Sequence, residues 1–211
     1  MKLYAIKEIF LTLQGEGFHA GRVSVFCRFS GCNLWSGREK DRSSAQCRFC
    51  DTDFVGTNGR MGGRYSADAL ADVIAAEWVA NEHEQRYCVL TGGEPLLQLD
   101  VSLIKALKKR NFEIAIETNG TIEPPEGINW VCVSPKEGCD IKVHKGQELK
   151  LVFPQIDAPP ERFIGFDFER FSLQPMDGSS LEENTQLAIA YCLKNPQWRV
   201  SLQMHKFIGI R

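Results

Sequence analysis

A chain of 211 residues and 23.8 kDa is long enough for one large domain or two small ones, with a proper core. Hydrophobic residues make up 43% and charged residues 25%, which excludes a disordered chain. With 25 Lys and Arg against 27 Asp and Glu, the net charge is −2. The basic excess of a protein that grips a nucleic-acid backbone is missing, so no nucleic-acid partner is expected.

The first residues, MKLYAIKEIFLTLQGEG, are apolar but broken by Lys7 and Glu8, unlike the continuous apolar core of a secretory signal. No run approaches the roughly 18 apolar residues of a membrane span. A cytoplasmic address with no membrane partner is the expectation. Short apolar runs then predict strands at Ser24–Ser30, Tyr87–Thr91, Glu113–Thr118, Trp130–Ser134, Glu148–Phe153, Arg170–Gln174 and Trp198–Gln203. Between the first two, Gly37–Arg48 is charged and aperiodic, Gly56–Gly63 is dense in glycine, and both read as loops.

Helices are predicted at Ser66–Asn81, Asp100–Lys109 and Leu181–Leu193; the first opens on a capping serine and sets Leu70, Val73, Ile74 and Trp78 on one face. Alternating strands and helices indicate an α/β fold with a parallel sheet. Gly120–Asn129 holds two prolines and no helix. The expectation is therefore one domain over residues 1–211, built as a curtailed, partial parallel β/α barrel. A loop insertion spans about 33–64. Polar and glycine-rich residues follow strand after strand: Gly92-Gly93-Glu94-Pro95, Asn119-Gly120, Pro135-Lys136 and Pro175-Met176-Asp177. Parallel α/β folds bind ligands at those carboxyl ends.

Eight cysteines need sorting. Cys27, Cys88 and Cys132 sit inside apolar strands, and Cys192 shares a helix face with Ala188 and Ile189; all four read as core. Cys139 is ambiguous. Cys32, Cys47 and Cys50 form C-x14-C-x2-C on a polar loop after the first parallel strand, with no histidine near and no second C-x-x-C. Structural thiols or a redox pair are open readings. Three thiolates lacking a fourth suit an iron–sulfur cluster with one open iron better than structural zinc.

These residues resemble the radical S-adenosylmethionine (SAM) enzymes. That family holds a 4Fe–4S cluster on three cysteines, usually as C-x3-C-x2-C, and its GGEP element, here Gly92–Pro95, binds the amino group of SAM. LQGEG (Leu13–Gly17), RFSGCNLW (Arg28–Trp35), CRFCDTDF (Cys47–Phe54), TGGEP, ETNG, SPK, QPMDG and SLQMHKFIGI look like segments of the 7-carboxy-7-deazaguanine synthase family of queuosine and 7-deazapurine biosynthesis. Some of its members carry the long cysteine gap.

The resemblance implies reductive cleavage of SAM to a 5′-deoxyadenosyl radical, hydrogen abstraction from 6-carboxy-5,6,7,8-tetrahydropterin, ring contraction and loss of ammonia, with Mg2+ assisting. It also implies a flavodoxin-type electron donor and a homodimer.

Carried over residue by residue, the resemblance makes Cys32, Cys47 and Cys50 cluster ligands and Thr52 the Mg2+ ligand, although Asp51-Thr52-Asp53 alone reads as a solvated turn. Phe49 is set against adenine or in the core. Gly93, Glu94, Glu117, Asn119, Ser134, Pro135, Lys136, Gln174, Pro175, Met176 and Asp177 are expected around SAM. Leu13, Gln14, Gly15, Glu16, Arg28, Thr91, His205 and Arg211 are expected around the substrate. Arg28 is the charge in an apolar strand, costly unless paired. Members often end in proline where this chain has Arg211. Two other functions remain open on the residues: a glycyl-radical-activating enzyme, and a non-enzymatic metal or electron-transfer module.

Overall fold

Short apolar segments pair into one open sheet in the computed structural model, which describes residues 2–79 and 85–210. The strands are β1 (Tyr4–Leu13), β2 (Val23–Phe29), β3 (Gly63–Tyr65), β4 (Arg86–Gly92), β5 (Phe112–Thr118), β6 (Trp130–Val133), β7 (Lys145–Phe153), β8 (Asp167–Pro175) and β9 (Trp198–Val200). The helices are α1 (Ala67–Glu77), α2 (Val101–Lys109), α3 (Leu181–Lys194) and α4 (Met204–Ile208). Among the described residues the order is β3-β1-β2-β4-β5-β6-β7-β8-β9. Every pair from β2 to β9 is parallel, and the two edge strands do not meet. The expected α/β curtailed barrel holds.

The antiparallel strands β1 and β3 are additions to that expectation. The charges at Lys7 and Glu8 mask β1 in the sequence. The structure absorbs them with a register irregularity between Ile6 and Glu8. The Lys7 ammonium then reaches the Val55 carbonyl, Asn58 and Asp53, while Glu8 pairs with Arg28 on β2. Both charges thereby anchor the strand instead of ending it.

The helices follow their caps. Ser66 accepts from the Ala69 N–H, and α1 buries Leu70, Ala71 and Ile74. The expected α1 runs to Asn81, but the helix ends at Glu77, and residues 80–81 lie outside the described ones. Asp100 caps α2 through the Ser102 and Leu103 N–H groups. Gly120–Asn129 is helix-free as expected, and within the loop Gly37–Arg48 lies one 3-10 segment, Glu39–Ser44.

Alternation along the strands divides the two faces. Cys88 and Leu90 of β4, with Ile114 and Ile116 of β5, join α1 and α2 in one core; Leu149 and Leu151 of β7, with Leu173 of β8 and Ala188 of α3, join in a second. The intervening residues turn into the half-barrel: Tyr87, Val89 and Thr91, then Glu117, Cys132, Glu148 and Lys150, then Gln174. Cys27, Cys88 and Cys132 are buried as expected, whereas Cys192 is half-buried.

Leu107 of α2 has no exposed surface. Leu107→Ala is expected to lower unfolding stability by about 2–5 kcal/mol, read by urea titration, since the removed methyl groups leave a cavity that relaxes only in part.

Candidate active site

The carboxyl ends of the parallel strands surround a cavity of about 350 Å3. Glycine lets its two halves meet. Gly92 holds φ +131°, and a Cβ there would strike the Phe29 carbonyl. A Cβ on Gly93 would strike the Gly31 carbonyl and approach Cys32 Cβ to 2.9 Å. The bare backbone instead extends the β2–β4 ladder: Gly93 N–H donates to Phe29 O at 3.2 Å and Glu94 N–H to Gly31 O at 2.9 Å. Cys32 is thereby held beside the end of β4.

Cys47 and Cys50 complete the group from the far side of the insertion. The Leu34 carbonyl accepts from the Gln46 and Cys47 N–H groups at 3.1 and 3.2 Å, folding the loop back on itself. The Arg42 guanidinium lies 4.2 Å from the Trp35 ring centroid and donates to the Cys50 carbonyl at 3.0 Å. All three thiols are free and line the cavity. A hydrogen bond from the Cys47 thiol holds Cys50 down at about 6, and the same bond, aided by burial, raises Cys47. Burial raises Cys32.

Among the described residues, no three His, Cys, Asp or Glu side chains converge on a single ion. A 4Fe–4S cluster, with its irons spread over several ångströms, does not require that. Three thiols on one wall beside an open cavity fit it.

Most of the expected cofactor residues line the same cavity: Phe49, Gly93, Glu117, Asn119, Ser134, Lys136, Gln174, Pro175, Met176 and Asp177. Lys136 donates to the Ser134 carbonyl and hydroxyl at 2.7 Å and stands 5.8 Å from the Phe49 ring centroid. Two residues do not line the cavity. Pro135 turns its carbonyl to Gln155. Glu94 is fully buried, and its carboxylate accepts from the Thr118 hydroxyl (2.8 Å), the Asn119 N–H (2.8 Å) and the Leu96 N–H (3.0 Å). Burial raises its pKa against those hydrogen bonds. Glu94 therefore ties the end of β4 to the end of β5.

On the substrate side, Leu13, Gln14, Gly15, Glu16, Arg28, Thr91 and His205 all line the cavity, and Arg211 lies outside the described residues. Arg28 is paired, as its position in an apolar strand requires: Nε donates to Glu8 at 3.0 Å. Glu117, expected around SAM, also hydrogen-bonds residues of this group. It accepts from Gln14 at 3.2 Å and from Thr91 at 3.3 Å. Thr52 lines the cavity between Asp51 and Asp53, so hard oxygen donors suited to Mg2+ stand there, with room for water and ligand oxygens.

Sequence reasoning missed Lys150, Gln203 and Lys206. Lys150, on the floor, is hidden in an apolar strand, though the alternation Glu148-Leu149-Lys150-Leu151 signals a polar inner face. Lys206 of α4 donates at 2.6 Å to both Asp51 and Asp177. Burial opposes these ion pairs, yet they keep Asp51 low and Lys206 high. No spacing signals a partnership that joins three distant segments.

A family model described as the radical SAM superfamily matches residues 42–130. The chain is 66% identical over 209 residues to a protein of Bradyrhizobium diazoefficiens named 7-carboxy-7-deazaguanine synthase, covering 99% of both chains. A Caulobacter vibrioides protein of the same name is 61% identical, covering 98% of this chain and 99% of the relative. The chain belongs to the 7-carboxy-7-deazaguanine synthase family. The fold agrees: the crystal structure of QueE from Escherichia coli matches with a TM-score of 0.75 at 29% identity, over 96% of this chain and 95% of that one. Full-length membership in the synthase family favours neither the glycyl-radical-activating reading nor the electron-transfer module.

In this synthase the chain after β9 packs on the loop Leu13–Gly17: Met204 N–H donates to the Gly15 carbonyl at 2.8 Å, and a Cβ on Gly15 would strike the His205 ring. Gly15→Ala is expected to push α4 off the cavity, raising KM for the substrate while leaving bound iron and sulfide at wild-type content. Gly93→Ala, by displacing the Cys32 loop, is expected to lower iron and sulfide content itself. Elemental analysis with steady-state kinetics separates the two.

Proposed function

We propose that this cavity converts 6-carboxy-5,6,7,8-tetrahydropterin to 7-carboxy-7-deazaguanine with loss of ammonia. The observation that carries the reading is convergence: three free thiols, the Gly92–Gly93 turn and the Arg28 and Glu16 side chains all face one cavity. Held there, a 4Fe–4S cluster and SAM would supply the radical chemistry for hydrogen-atom abstraction from the substrate.

The remaining roles belong to this chain. Cys32, Cys47 and Cys50 would hold the cluster, with SAM bound beside it. The Gly93 backbone takes the SAM amino group, Phe49 packs on adenine, and Ser134, Lys136 and Gln174–Asp177 surround the rest. Glu94 acts indirectly, by joining the ends of β4 and β5. Pairing through Nε fixes the Arg28 guanidinium and leaves its terminal amino groups for bidentate contact with the substrate carboxylate.

Glu16 accepts hydrogen bonds from the guanidine-like edge of the pterin. Gln14, Thr91 and Glu117 fix that edge, and Leu13, Gly15 and His205 shape the wall around it. The Thr52 hydroxyl would offer Mg2+ a hard oxygen donor. The eight free thiols support a reducing, cytoplasmic setting, and the family resemblance supports a flavodoxin-type electron donor. Exposed Leu193, Phe207 and Ile208 near the carboxyl end support a homodimer.

The test is anaerobic reconstitution with iron and sulfide, then SAM, dithionite, Mg2+ and the carboxy-tetrahydropterin, with products read by mass spectrometry. The expected products are 5′-deoxyadenosine and 7-carboxy-7-deazaguanine; 5′-deoxyadenosine without the deazaguanine refutes the substrate assignment. Cys32→Ala is expected to abolish both. Arg28→Gln is expected to cut kcat/KM by about 10- to 100-fold, the loss of about 1.5–3 kcal/mol from a charged hydrogen-bonded contact. Most of that loss should fall on KM.

A further inference from the structure

One buried ammonium sits on the cavity floor with two carboxylates. Lys150 projects from β7 with its side chain 4% exposed. Its Nζ donates to Glu16 Oε2 from the loop after β1, and to Glu117 Oε1 from β5 at 3.3 Å. The neutral partners are all amides or a hydroxyl. Gln174 and Gln203 donate to Glu16 Oε1 at 3.3 and 2.9 Å, and Gln14 and Thr91 donate to Glu117. Two carboxylates and one ammonium leave a single negative charge facing the cavity. Like charges this close, in a buried place, cannot both stay ionised without a cation between them.

We propose that Lys150 is a positioning residue of the substrate site: by bridging Glu16 and Glu117 it keeps Glu16 ionised and both carboxylates aimed, so that Glu16 is a hydrogen-bond acceptor for the N–H edge of the pterin across the neutral pH range. This rests on the substrate reading above. The titratable groups around Glu16 are Lys150 from β7, Glu117 from β5 and His205 from α4; Glu148 and Cys132 flank Lys150. Burial would raise the Glu16 pKa, yet Lys150, helped by Gln203 and His205, holds it below the ordinary value. Burial would likewise lower Lys150, yet Glu117 and Glu16 hold it well above. Both shifts favour the ion pair.

The sign of the pH effect follows. Without the ammonium, the Glu16–Glu117 pair takes up a proton as pH falls, and a protonated Glu16 is a poorer acceptor. Affinity should therefore weaken toward acid and recover toward alkali. The experiment measures the substrate Kd by calorimetry on cluster-reconstituted protein with SAM and Mg2+ but no reductant, so nothing turns over.

For the wild type, Kd should be flat from about pH 6 to 8, well above an ordinary Glu pKa. For Lys150→Met and Lys150→Gln, Kd should weaken by up to about tenfold per pH unit below the raised pKa, the signature of one proton. Adding Glu117→Gln to Lys150→Met removes the second carboxylate and should flatten the profile again. A structural role would not produce that rescue.

The proposal is overturned by Lys150→Gln protein that keeps the flat wild-type profile, by a loss of affinity equal at every pH, or by failure of the double variant to flatten it. Wild-type protein that does not bind the carboxy-tetrahydropterin at all refutes the substrate reading instead.

Discussion

The close approach of Gly93 to the Gly31 carbonyl is the constraint on which the site depends. Two parallel strands end side by side, and the backbone after each must continue without a side chain between them. Because it does, the β2–β4 ladder runs on past the sheet into the loop that bears Cys32. The glycines thus act in two ways at once. They leave bare backbone at the cavity, and they set Cys32 against it. Glu94, directly after them, locks the same turn to β5 from below, a use of the carboxylate that a motif reading alone does not reveal.

Charge around the half-barrel is bridged, each cation reaching one or two carboxylates. Arg28 meets Glu8, Lys150 meets Glu16 and Glu117, and Lys206 meets Asp51 and Asp177. Single buried charges are costly, whereas bridged ones keep their ionisation and direction. The pairs also link distant parts of the chain: β1 to β2, the loop after β1 to β5 and β7, and α4 to both the cluster loop and the end of β8. The polar inner face therefore gives the cavity a fixed shape. The hydrophobic cores, on the other face of the same strands, supply the stability that holds it.

Period and composition revealed most of this fold. Apolar runs such as Tyr87–Thr91 and Trp198–Gln203 are local signals, and the Asp100 cap of α2 is read from one residue. The grouping of Cys32, Cys47 and Cys50 at the cavity was equally legible, since C-x14-C-x2-C on a polar loop has few uses. What escaped was nonlocal. Strand β1 hides behind Lys7 and Glu8, whose partners lie at Asp53 and Arg28. Lys150 looks like an interruption of an apolar strand until β5 and the loop after β1 place Glu117 and Glu16 against it. Glu117 and Asn119, two residues apart, seem to share a task, yet Glu117 turns to the floor while Asn119 bonds Asn33 above it.

An open sheet also has to close its cavity without another strand. Here the chain beyond β9 does so. Ser201 accepts from the Gly17 N–H at 2.7 Å, Met204 donates to Gly15, and Gln203 reaches Glu16 while Lys206 reaches Asp51. The segment after the last strand is thereby sewn to the segment after the first, over the floor that Lys150 organises. A closed barrel would spread such contacts around a ring. The curtailed one concentrates most of them on Gly15, Glu16 and Gly17, so this short loop both lines the cavity and carries the closure. That double duty accounts for its two glycines: Gly15 lies under His205, and Gly17, at φ +67°, lies against the Glu148 carboxylate. Side chains at either position would separate closure from binding.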